Sequence, residues 1–380
     1  MKKNDLTIIL TLRGRHLHTL RWLWHANRVG FPYHVIIADG EVHPTIARLL
    51  SDPSTFPNLS FEYHRHCDLS FSDFYKKCVD TIGKVKTKYV MMSDNDDFLI
   101  LAGIQRSIEY LDNEPEYVCS GGRIPFFSIV PRLEMPGKII GKMIDTKFVY
   151  SQVSHDISFP LISDRVMDEI KQYQVIYYHV FRTNDLRVIF EEIETQDFSD
   201  LTVHEFYISL RAVTLGKVRA DPAVICYLRQ AGTSNYHTYG TDWVHDMLRS
   251  KLPQDFRAMA TAIANEVARI DCNNSDEFRE RILDAYAVYL RHLLGHTMMR
   301  YRFPRLFRIK QKLLWLKNLQ IVPLWYRQKQ GRKNFWKKLS NDCTDPALLV
   351  AYREEFRNIE TTLQGDEFLM FIKNNAPELQ

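Results

Sequence analysis

Residues 6 to 122 alternate between short apolar runs and longer stretches in which apolar residues recur every three or four positions. Apolar runs rich in β-branched residues predict buried strands, and the three-to-four period predicts helices with one apolar face. We predict strands over 6–12, 33–40, 59–63, 89–93 and 117–120. We predict helices over 16–28, 44–50, 72–82 and 101–111. This alternation favours an α/β fold with a mainly parallel, Rossmann-type sheet flanked by helices.

The rest of the chain is less regular at first and then helical. Prolines interrupt residues 123–172, and we predict an irregular insertion there that covers the edge of the sheet. The pattern then predicts strands over 175–181, 217–219 and 223–228, helices over 186–194 and 201–215, and a loop over 229–237. From residue 242 it is helical, most clearly over 256–270 and 278–294. We therefore divide the chain into an α/β domain, residues 1–240, and a mostly helical C-terminal region, residues 241–380.

An acidic cluster follows the fourth predicted strand: Asp94, Asp96 and Asp97. Carboxylates this close repel each other unless a cation lies among them. Hard oxygen ligands suit Mg²⁺ or Mn²⁺. At this point an acidic surface turn explains the pattern equally well.

The predicted topology gives this cluster neighbours. In open α/β sheets, ligands bind at the carboxyl edge of the strands. The first strand ends at Thr11 and Arg13, and the second at Asp39. We expect these side chains to converge with the acidic cluster on one edge.

Composition excludes several classes of protein. The net charge of +4 is too mild to indicate a nucleic-acid partner. The six cysteines form no CxxC pair, so neither a zinc knuckle nor a redox dithiol is indicated. No stretch approaches the ~18 consecutive apolar residues of a membrane span, and the first apolar run is too short for a secretory signal. We expect a cytoplasmic protein.

These motifs together resemble GT-A-fold glycosyltransferases of the family-two type. The resemblance is closest to a bacterial branch in which an apolar strand runs into an acidic D-D-D-D-F segment, and it covers about residues 5–235. It is carried by Asp94-Asn95-Asp96-Asp97-Phe98, and by a helix bearing His204-Glu205 that leads into Gly216-Lys217-Val218. Asn95 departs from the acidic pattern, whereas the D-x-D spacing is kept.

The resemblance implies transfer of a sugar from a nucleotide-diphosphate donor with a divalent metal, Mn²⁺ or Mg²⁺. Asp96 would bind the metal, with Asp94 close to the ribose or to a metal-bound water, and His237 would complete the metal shell. Asp39 would meet the nucleobase. The remaining nucleotide contacts implied are those of Thr11, Arg13 and Arg229. An ordinary loop histidine and a solvated strand-end arginine are the plainer interpretations of His237 and Arg229.

An inverting, single-displacement transferase needs one carboxylate as general base. The resemblance points to Glu205, which is otherwise a solvated acid on a helix face. Asp200 is the rival, although its position before the helix also suits an N-cap, a role worth about 1 kcal/mol of helix stability. We expect His204 to be a packing or surface residue, and Lys76 and Lys77 to lie on the surface of their helix.

A basic, aromatic stretch marks the C-terminal region. Between Ala285 and Asn341 the chain has no acidic residue but fourteen Lys and Arg, interleaved with aromatic residues over about 300–338. This composition is typical of contact with an anionic membrane surface, and equally of plain helical packing or homo-oligomerisation. A mixture of basic and aromatic residues can also bind RNA, but no recognition motif supports that interpretation. On the first interpretation the protein is peripheral to the inner membrane, beside a glycan or lipid-linked glycan acceptor in bacterial surface polysaccharide synthesis.

Two other functions compete. A strand-end D-x-D also occurs in phosphate-transferring hydrolases of the haloacid-dehalogenase type, which expect Thr or Val two positions after the second Asp. Phe98 stands there, and three predicted strands precede the motif. A non-catalytic nucleotide-sugar-binding scaffold is the second alternative, because fold does not guarantee activity.

Overall fold

The computed structural model describes residues 5–43, 45–135, 137–148, 155–199, 201–231, 251–302 and 324–379. Side chains are described in these ranges except at 53, 201–202, 289–302 and 324–331. The strands are β1 Leu6–Leu12, β2 His34–Asp39, β3 Phe61–Arg65, β4 Tyr89–Asp94, β5 Phe98–Leu99, β6 Tyr117–Gly122, β7 Phe126–Pro131, β8 Gly141–Lys147, β9 Val180–Arg182, β10 Lys217–Asp221 and β11 Tyr227–Gln230. The helices are α1 His16–Val29, α2 Ala47–Leu50, α3 Phe71–Lys84, α4 Leu101–Asn113, α5 Ile162–Lys171, α6 Thr183–Gln196, α7 Leu201–Leu215, α8 Leu252–Asp271, α9 Ser275–Arg302, α10 Leu324–Asp342, α11 Pro346–Gln364 and α12 Asp366–Asn375.

The main sheet has the strand order β10-β6-β9-β4-β1-β2-β3. Its pairs are parallel except those made by β9, which runs antiparallel between β4 and β6. The mainly parallel α/β sheet flanked by helices, followed by a helical C-terminal region, is thus confirmed. The pairing of Thr11 with Asp94, and of Leu12 with Asp39, brings the ends of β1, β2 and β4 to one edge.

The strand predicted over 175–181 is mostly wrong. Residues Ile176–Tyr178 form a 3₁₀ turn, closed by a bond from the His179 N–H to the Ile176 carbonyl at 2.8 Å, and only Val180–Arg182 enters the sheet. The chain enters beside β4 against the direction of the other strands, and the turn directs Tyr178 toward the carboxyl edge of β4.

The irregular insertion predicted over 123–172 is also wrong for much of its length. β7 and β8 form an antiparallel hairpin, which joins β5 and β11 in a second sheet of order β5-β11-β7-β8. α5 follows. Two of the prolines behind the prediction of irregular structure lie at the ends of β7: Pro125 precedes this strand and Pro131 is its last residue. Gly141 is required at the return, because a Cβ there would lie 2.1 Å from the Val130 carbonyl oxygen.

The apolar core lies on both faces of the main sheet. One cluster joins the sheet to α3, α5, α6, α7, α8 and the start of α9. A second joins the other face to α1, α2, α4 and α12. A third lies between the second sheet and α10–α11. The described C-terminal helices therefore pack on opposite sides of the molecule, while the predicted boundary at 240/241 falls outside the described residues.

None of the described helices has the length and apolar content needed to cross a membrane. Within the basic stretch, Phe335 is buried and Trp336 is half-buried; both contact Phe356. These two aromatic side chains therefore serve helix packing. Residues 303–323 lie outside the described part of the chain.

Candidate active site

The acidic cluster lies at the turn between β4 and β5, where its three carboxylates are close to one another. One oxygen from each of Asp94, Asp96 and Asp97 lies within 4.8 Å of the others. Asp96 and Asp97 are only 4% and 2% exposed, whereas Asp94 is half-buried at the end of its strand. The buried strand and the buried turn residues exclude the simple acidic surface turn.

Two stacked tyrosines hold Asp94. The Tyr178 hydroxyl donates to Asp94 Oδ2 at 2.6 Å, and the Asp94 N–H donates to the Tyr227 hydroxyl oxygen at 2.9 Å. The two rings stack with centroids 4.2 Å apart and planes at 22°. The two tyrosines thus hold both the side chain and the backbone of Asp94, although no sequence pattern connects them with the acidic cluster.

Asp96 faces a guanidinium. Arg15 Nη1 donates to Asp96 Oδ2 at 2.6 Å. Arg15 is the N-cap residue of α1 and has φ 57° and ψ 43°, directly after Gly14 with φ 70°. A left-handed backbone costs a non-glycine residue roughly 1–2 kcal/mol, and such conformations cluster at functional sites.

Asp97 anchors β11. One of its oxygens accepts the Gln230 backbone N–H at 2.7 Å, and the other lies 3.7 Å from Arg229 Nε. The Arg229 guanidinium lies between the rings of Phe126 and Tyr178, 5.6 and 5.2 Å from their centroids. Arg229 was predicted in a loop; it belongs to β11 and faces the acidic turn, which excludes the solvated strand-end interpretation.

Asn95, which departs from the family pattern, points away from the cluster. Its amide Nδ2 donates to Thr19 Oγ1 at 2.8 Å and to the Gly14 carbonyl at 3.3 Å. An amide suits this position because it donates to two oxygens, which an ionised carboxylate cannot do. The substitution therefore ties the turn to α1 and leaves the D-x-D pair in place.

Arg21 is a site residue that the sequence analysis missed. It is fully buried and donates to the Asp96 carbonyl at 2.6 Å, the Ile139 carbonyl at 2.6 Å and Gln230 Oε1 at 2.7 Å. Burial lowers the pKa of Arg21 to about 10, although the negative charges of Asp96 and Asp97 act in the opposite direction and raise it. A signal existed: Arg21 lies four residues after Leu17 and one before Trp22, within the apolar stretch of its helix.

The electrostatics of the turn favour a cation. Burial, followed by the charge of Asp96, raises the pKa of Asp94 and of Asp97, and Arg229 opposes both shifts. Dehydrated carboxylates in contact are stabilised by an added positive charge. Three hard oxygen donors at this spacing fit a divalent ion such as Mg²⁺ or Mn²⁺. The residues present therefore fit the metal that the resemblance implies.

Asp39 and Thr11 lie along the same edge as the acidic turn. Asp39 is buried; its Oδ1 accepts the Glu41 N–H at 2.9 Å and its Oδ2 accepts the Tyr63 hydroxyl at 2.8 Å. Thr11 is half-buried opposite Asp94, and Arg13 is exposed just beyond it. The structure thus brings these three residues to the predicted edge.

A buried ion pair supports this edge and corrects the expectation for Lys77. Lys77 is 2% exposed, pairs with the buried Asp68, and donates to the Leu12 carbonyl at 3.2 Å. Asp68 also packs on Gly40, where a Cβ would lie 2.0 Å from its Oδ2. The pair fixes the ends of β1 and β2, whereas Lys76 is exposed as expected.

Glu205 is exposed on α7, as expected both for a general base and for a solvated acid on a helix face. Burial raises the pKa of Tyr178; Arg229 opposes the shift, and the charges of Asp94, Asp97 and Glu205 add to it. Tyr178 also bonds Asp94, so the charge of Glu205 acts, as the smallest of these influences, on the hydroxyl that orients this carboxylate.

His204 is buried among aromatic rings, with centroids 5.0 Å from Tyr75 and 5.5 Å from Phe190. Burial lowers its pKa to about 3. It is a packing residue, one of the two roles expected for it. The rival base Asp200 and the predicted metal ligand His237 both lie outside the described residues.

Searches against known proteins found structural likeness only. No protein-family model matches the sequence, and no curated protein matches it significantly. S. aureus TarS 1–349 in complex with UDP-GlcNAc has a TM-score of 0.47 and 12% identity, over 95% of this chain and 91% of that chain. The mannosyltransferase PcManGT from Pyrobaculum calidifontis, in complex with GDP-Man and Mn²⁺, has a TM-score of 0.39 and 13% identity, over 91% of this chain and 85% of that chain. At these TM-scores the assignment of function depends on the residues of the site itself.

Proposed function

We propose that the protein is an enzyme, a metal-dependent glycosyltransferase that moves a sugar from a nucleotide-diphosphate donor to a glycan or lipid-linked glycan. The observation that carries this proposal is the buried carboxylate cluster of Asp94, Asp96 and Asp97 at the carboxyl edge of β4. A divalent ion there would neutralise the negative charge that develops on a diphosphate leaving group. Asp96 and Asp94 would hold it, while Asp97 keeps β11 in register with the turn.

The neighbouring residues suit a nucleotide. Asp39 would accept from the nucleobase, with the Tyr63 hydroxyl orienting its carboxylate. Thr11 and Arg13 would line the nucleotide beside the ends of β1 and β4. Arg229, held between Phe126 and Tyr178, would face the diphosphate from the opposite side of the cluster.

For the acceptor, we propose an inverting displacement with Glu205 as general base. The exposure of Glu205 to solvent and the effect of its charge on the pKa of Tyr178 support this choice. Asp200 stays the rival prediction, and His237 stays a predicted metal ligand. Synthesis of a bacterial surface polysaccharide by a cytoplasmic enzyme, held at the inner membrane through its basic stretch, remains part of the proposal.

A screen of nucleotide sugars with and without Mn²⁺, read as thermal stability, tests the donor and the metal together. Ligand bound only to the folded state raises stability by about 2.7 kcal/mol at a hundred times Kd. We expect one nucleotide class to stabilise the protein in a metal-dependent way, and Asp96→Asn to abolish that effect. Asp276→Asn, at an exposed position on α9, is the matched control. Equal stabilisation of the Asp96→Asn variant and the wild type would contradict the metal assignment.

The base is tested separately. Glu205→Gln keeps the shape of the side chain but cannot accept a proton, so we expect normal donor affinity and a fall of about 10²–10⁴-fold in transfer. Donor binding is measured calorimetrically and transfer by release of the nucleoside diphosphate in the presence of acceptor. Full activity of Glu205→Gln together with an inactive Asp200→Asn would move the base to Asp200.

A further inference from the structure

We propose that Arg15 is a competing internal cation for the metal site, and that it leaves Asp96 for the donor diphosphate when metal and donor bind. This inference rests on the proposed function. It names Arg15 as the residue that couples the binding of metal to the binding of donor. The observation behind it is that Arg15 Nη1 already occupies Asp96 Oδ2, at 2.6 Å.

Three arginines surround the acidic turn in the described part of the chain, and they differ in the groups that they contact. Arg21 is fully buried and donates to two backbone carbonyls and a side-chain amide oxygen. Arg229 lies between two rings, 3.7 Å from Asp97. Arg15 donates directly to a carboxylate oxygen of Asp96, and its side chain is 21% exposed, close to the 25% of Arg229. Of these three, Arg15 is therefore the one whose hydrogen bond occupies an oxygen of the D-x-D carboxylates that a metal ion would use.

The backbone of Arg15 supports a role for its side chain. Gly14 and Arg15 both have left-handed conformations, with φ 70° and 57°, in the short loop that connects β1 to α1. Glycine is the residue that such a backbone favours. An arginine there is disfavoured locally, and what it adds is a guanidinium directed at Asp96.

Competition follows from the chemistry of the carboxylate. A guanidinium that donates to Asp96 Oδ2 neutralises the charge that a divalent ion would use, so binding of the ion must displace or weaken that contact. The displaced guanidinium would lie beside the diphosphate, which it binds well because its planar donors match phosphate oxygens. Metal and donor would thus each favour the arrangement that the other needs, and the coupling must be equal in both directions.

The test measures binding rather than turnover. Mn²⁺ is titrated into the full-length protein without nucleotide, by calorimetry or by electron paramagnetic resonance of the free ion. UDP and GDP are then titrated with and without Mn²⁺. The main variant is Arg15→Gly, which removes the guanidinium and suits the left-handed backbone, so that it should fold. Arg15→Lys keeps the charge, and Arg106→Met, at a position 57% exposed on α4, is the control.

We expect Arg15→Gly to bind Mn²⁺ alone about tenfold more tightly than the wild type, the scale of one lost charge-assisted hydrogen bond. We expect it to bind the nucleoside diphosphate more weakly in the presence of Mn²⁺, and to lose most of the coupling between the two ligands. Arg15→Lys should fall between the wild type and Arg15→Gly, and Arg106→Met should match the wild type.

Unchanged or weaker Mn²⁺ affinity in Arg15→Gly would overturn the competition. Unchanged coupling would overturn the transfer of Arg15 to the diphosphate. Both results differ from failure of the proposed function, in which the wild type itself binds no Mn²⁺ and Asp96→Asn changes nothing.

Discussion

Four consecutive residues of the acidic turn have four different partners. Asp94 is held by Tyr178, Asn95 by Thr19, Asp96 by Arg15 and Asp97 by the backbone of Gln230. The four residues are adjacent in sequence, yet their contacts come from three separate parts of the chain: the 3₁₀ turn, the start of α1, and β11. The motif therefore indicates a cation site, whereas the function of each position depends on tertiary contacts that spacing alone does not reveal.

Arg21 tests how far the turn depends on its buried support. Arg21→Met leaves the carbonyl oxygens of Asp96 and Ile139 without their donor, and a buried unsatisfied acceptor costs about 1–3 kcal/mol. We expect the free energy of unfolding to fall by about 3–5 kcal/mol, the scale for a broken buried charge network, and Mn²⁺ affinity to fall with it.

Urea unfolding measures the first effect and calorimetry the second. Arg106→Met is the control, expected to change stability by less than about 0.5 kcal/mol. Wild-type stability and metal affinity in Arg21→Met would show that the turn holds its shape without Arg21.

At the scale of elements, the strands that carry the site were predictable and the pieces that complete it were not. β1 has the predicted bounds, and β4 is one residue longer than predicted. Both predictions succeed because apolar runs bounded by polar residues indicate buried strands. The hairpin β7–β8 does not follow from the sequence because its prolines suggest a break, whereas they lie at the ends of β7, where they do not interrupt pairing. The 3₁₀ turn that places Tyr178 also has no periodic signal.

The contact of α11 with α4 makes stability depend on pH. Both oxygens of Glu355 accept N–H groups at the start of α4, from Leu101 at 2.5 Å and Ala102 at 2.8 Å. Burial nevertheless raises the pKa of Glu355 to about 7, beside a cavity of about 220 Å³ between α1 and α11. The Glu355 carboxyl group therefore stays protonated up to a higher pH in the folded protein than in the unfolded chain.

The sign of the effect follows from this difference. Between the unfolded pKa near 4.5 and the folded pKa near 7, the folded state binds more protons, so stability falls as pH rises. We expect the free energy of unfolding of the wild type, relative to Glu355→Gln, to fall by up to about 3 kcal/mol between pH 5 and pH 7.5. Urea unfolding at several pH values measures this difference. A difference that stays constant with pH would contradict the raised pKa.

At the scale of the whole molecule, the C-terminal helices are part of the fold on both faces of the sheet. α8 and α9 pack with α5 and α7, while Phe368 and Ile372 of α12 belong to the core of the opposite face. The spacing of apolar residues from residue 242 predicts a helical region, but a helical period does not reveal which surface a helix covers. Removing this region would expose both faces, so deletion is a poor test of membrane contact.

Charge reversal is the better test of membrane contact. Lys333, Lys337 and Lys338 are exposed in the basic stretch, next to the packed Phe335 and Trp336. Each basic residue near an anionic surface contributes about 1 kcal/mol to binding. If this stretch faces the membrane, reversal of all three to Glu should weaken cosedimentation with phosphatidylglycerol vesicles by at least a hundredfold and leave the weak binding to phosphatidylcholine vesicles unchanged.

The matched control reverses Lys142, Lys171 and Lys373, which are exposed on β8, α5 and α12, and so makes the same change in net charge. Any attraction that depends only on net charge would fall equally in both triple variants. A loss confined to the Lys333, Lys337 and Lys338 variant places the membrane at the basic stretch. Equal losses in both triple variants, or no loss in either, would contradict membrane contact through the basic stretch. Its described aromatic residues would then only pack the helices, and the acceptor would reach the acidic turn without help from this surface.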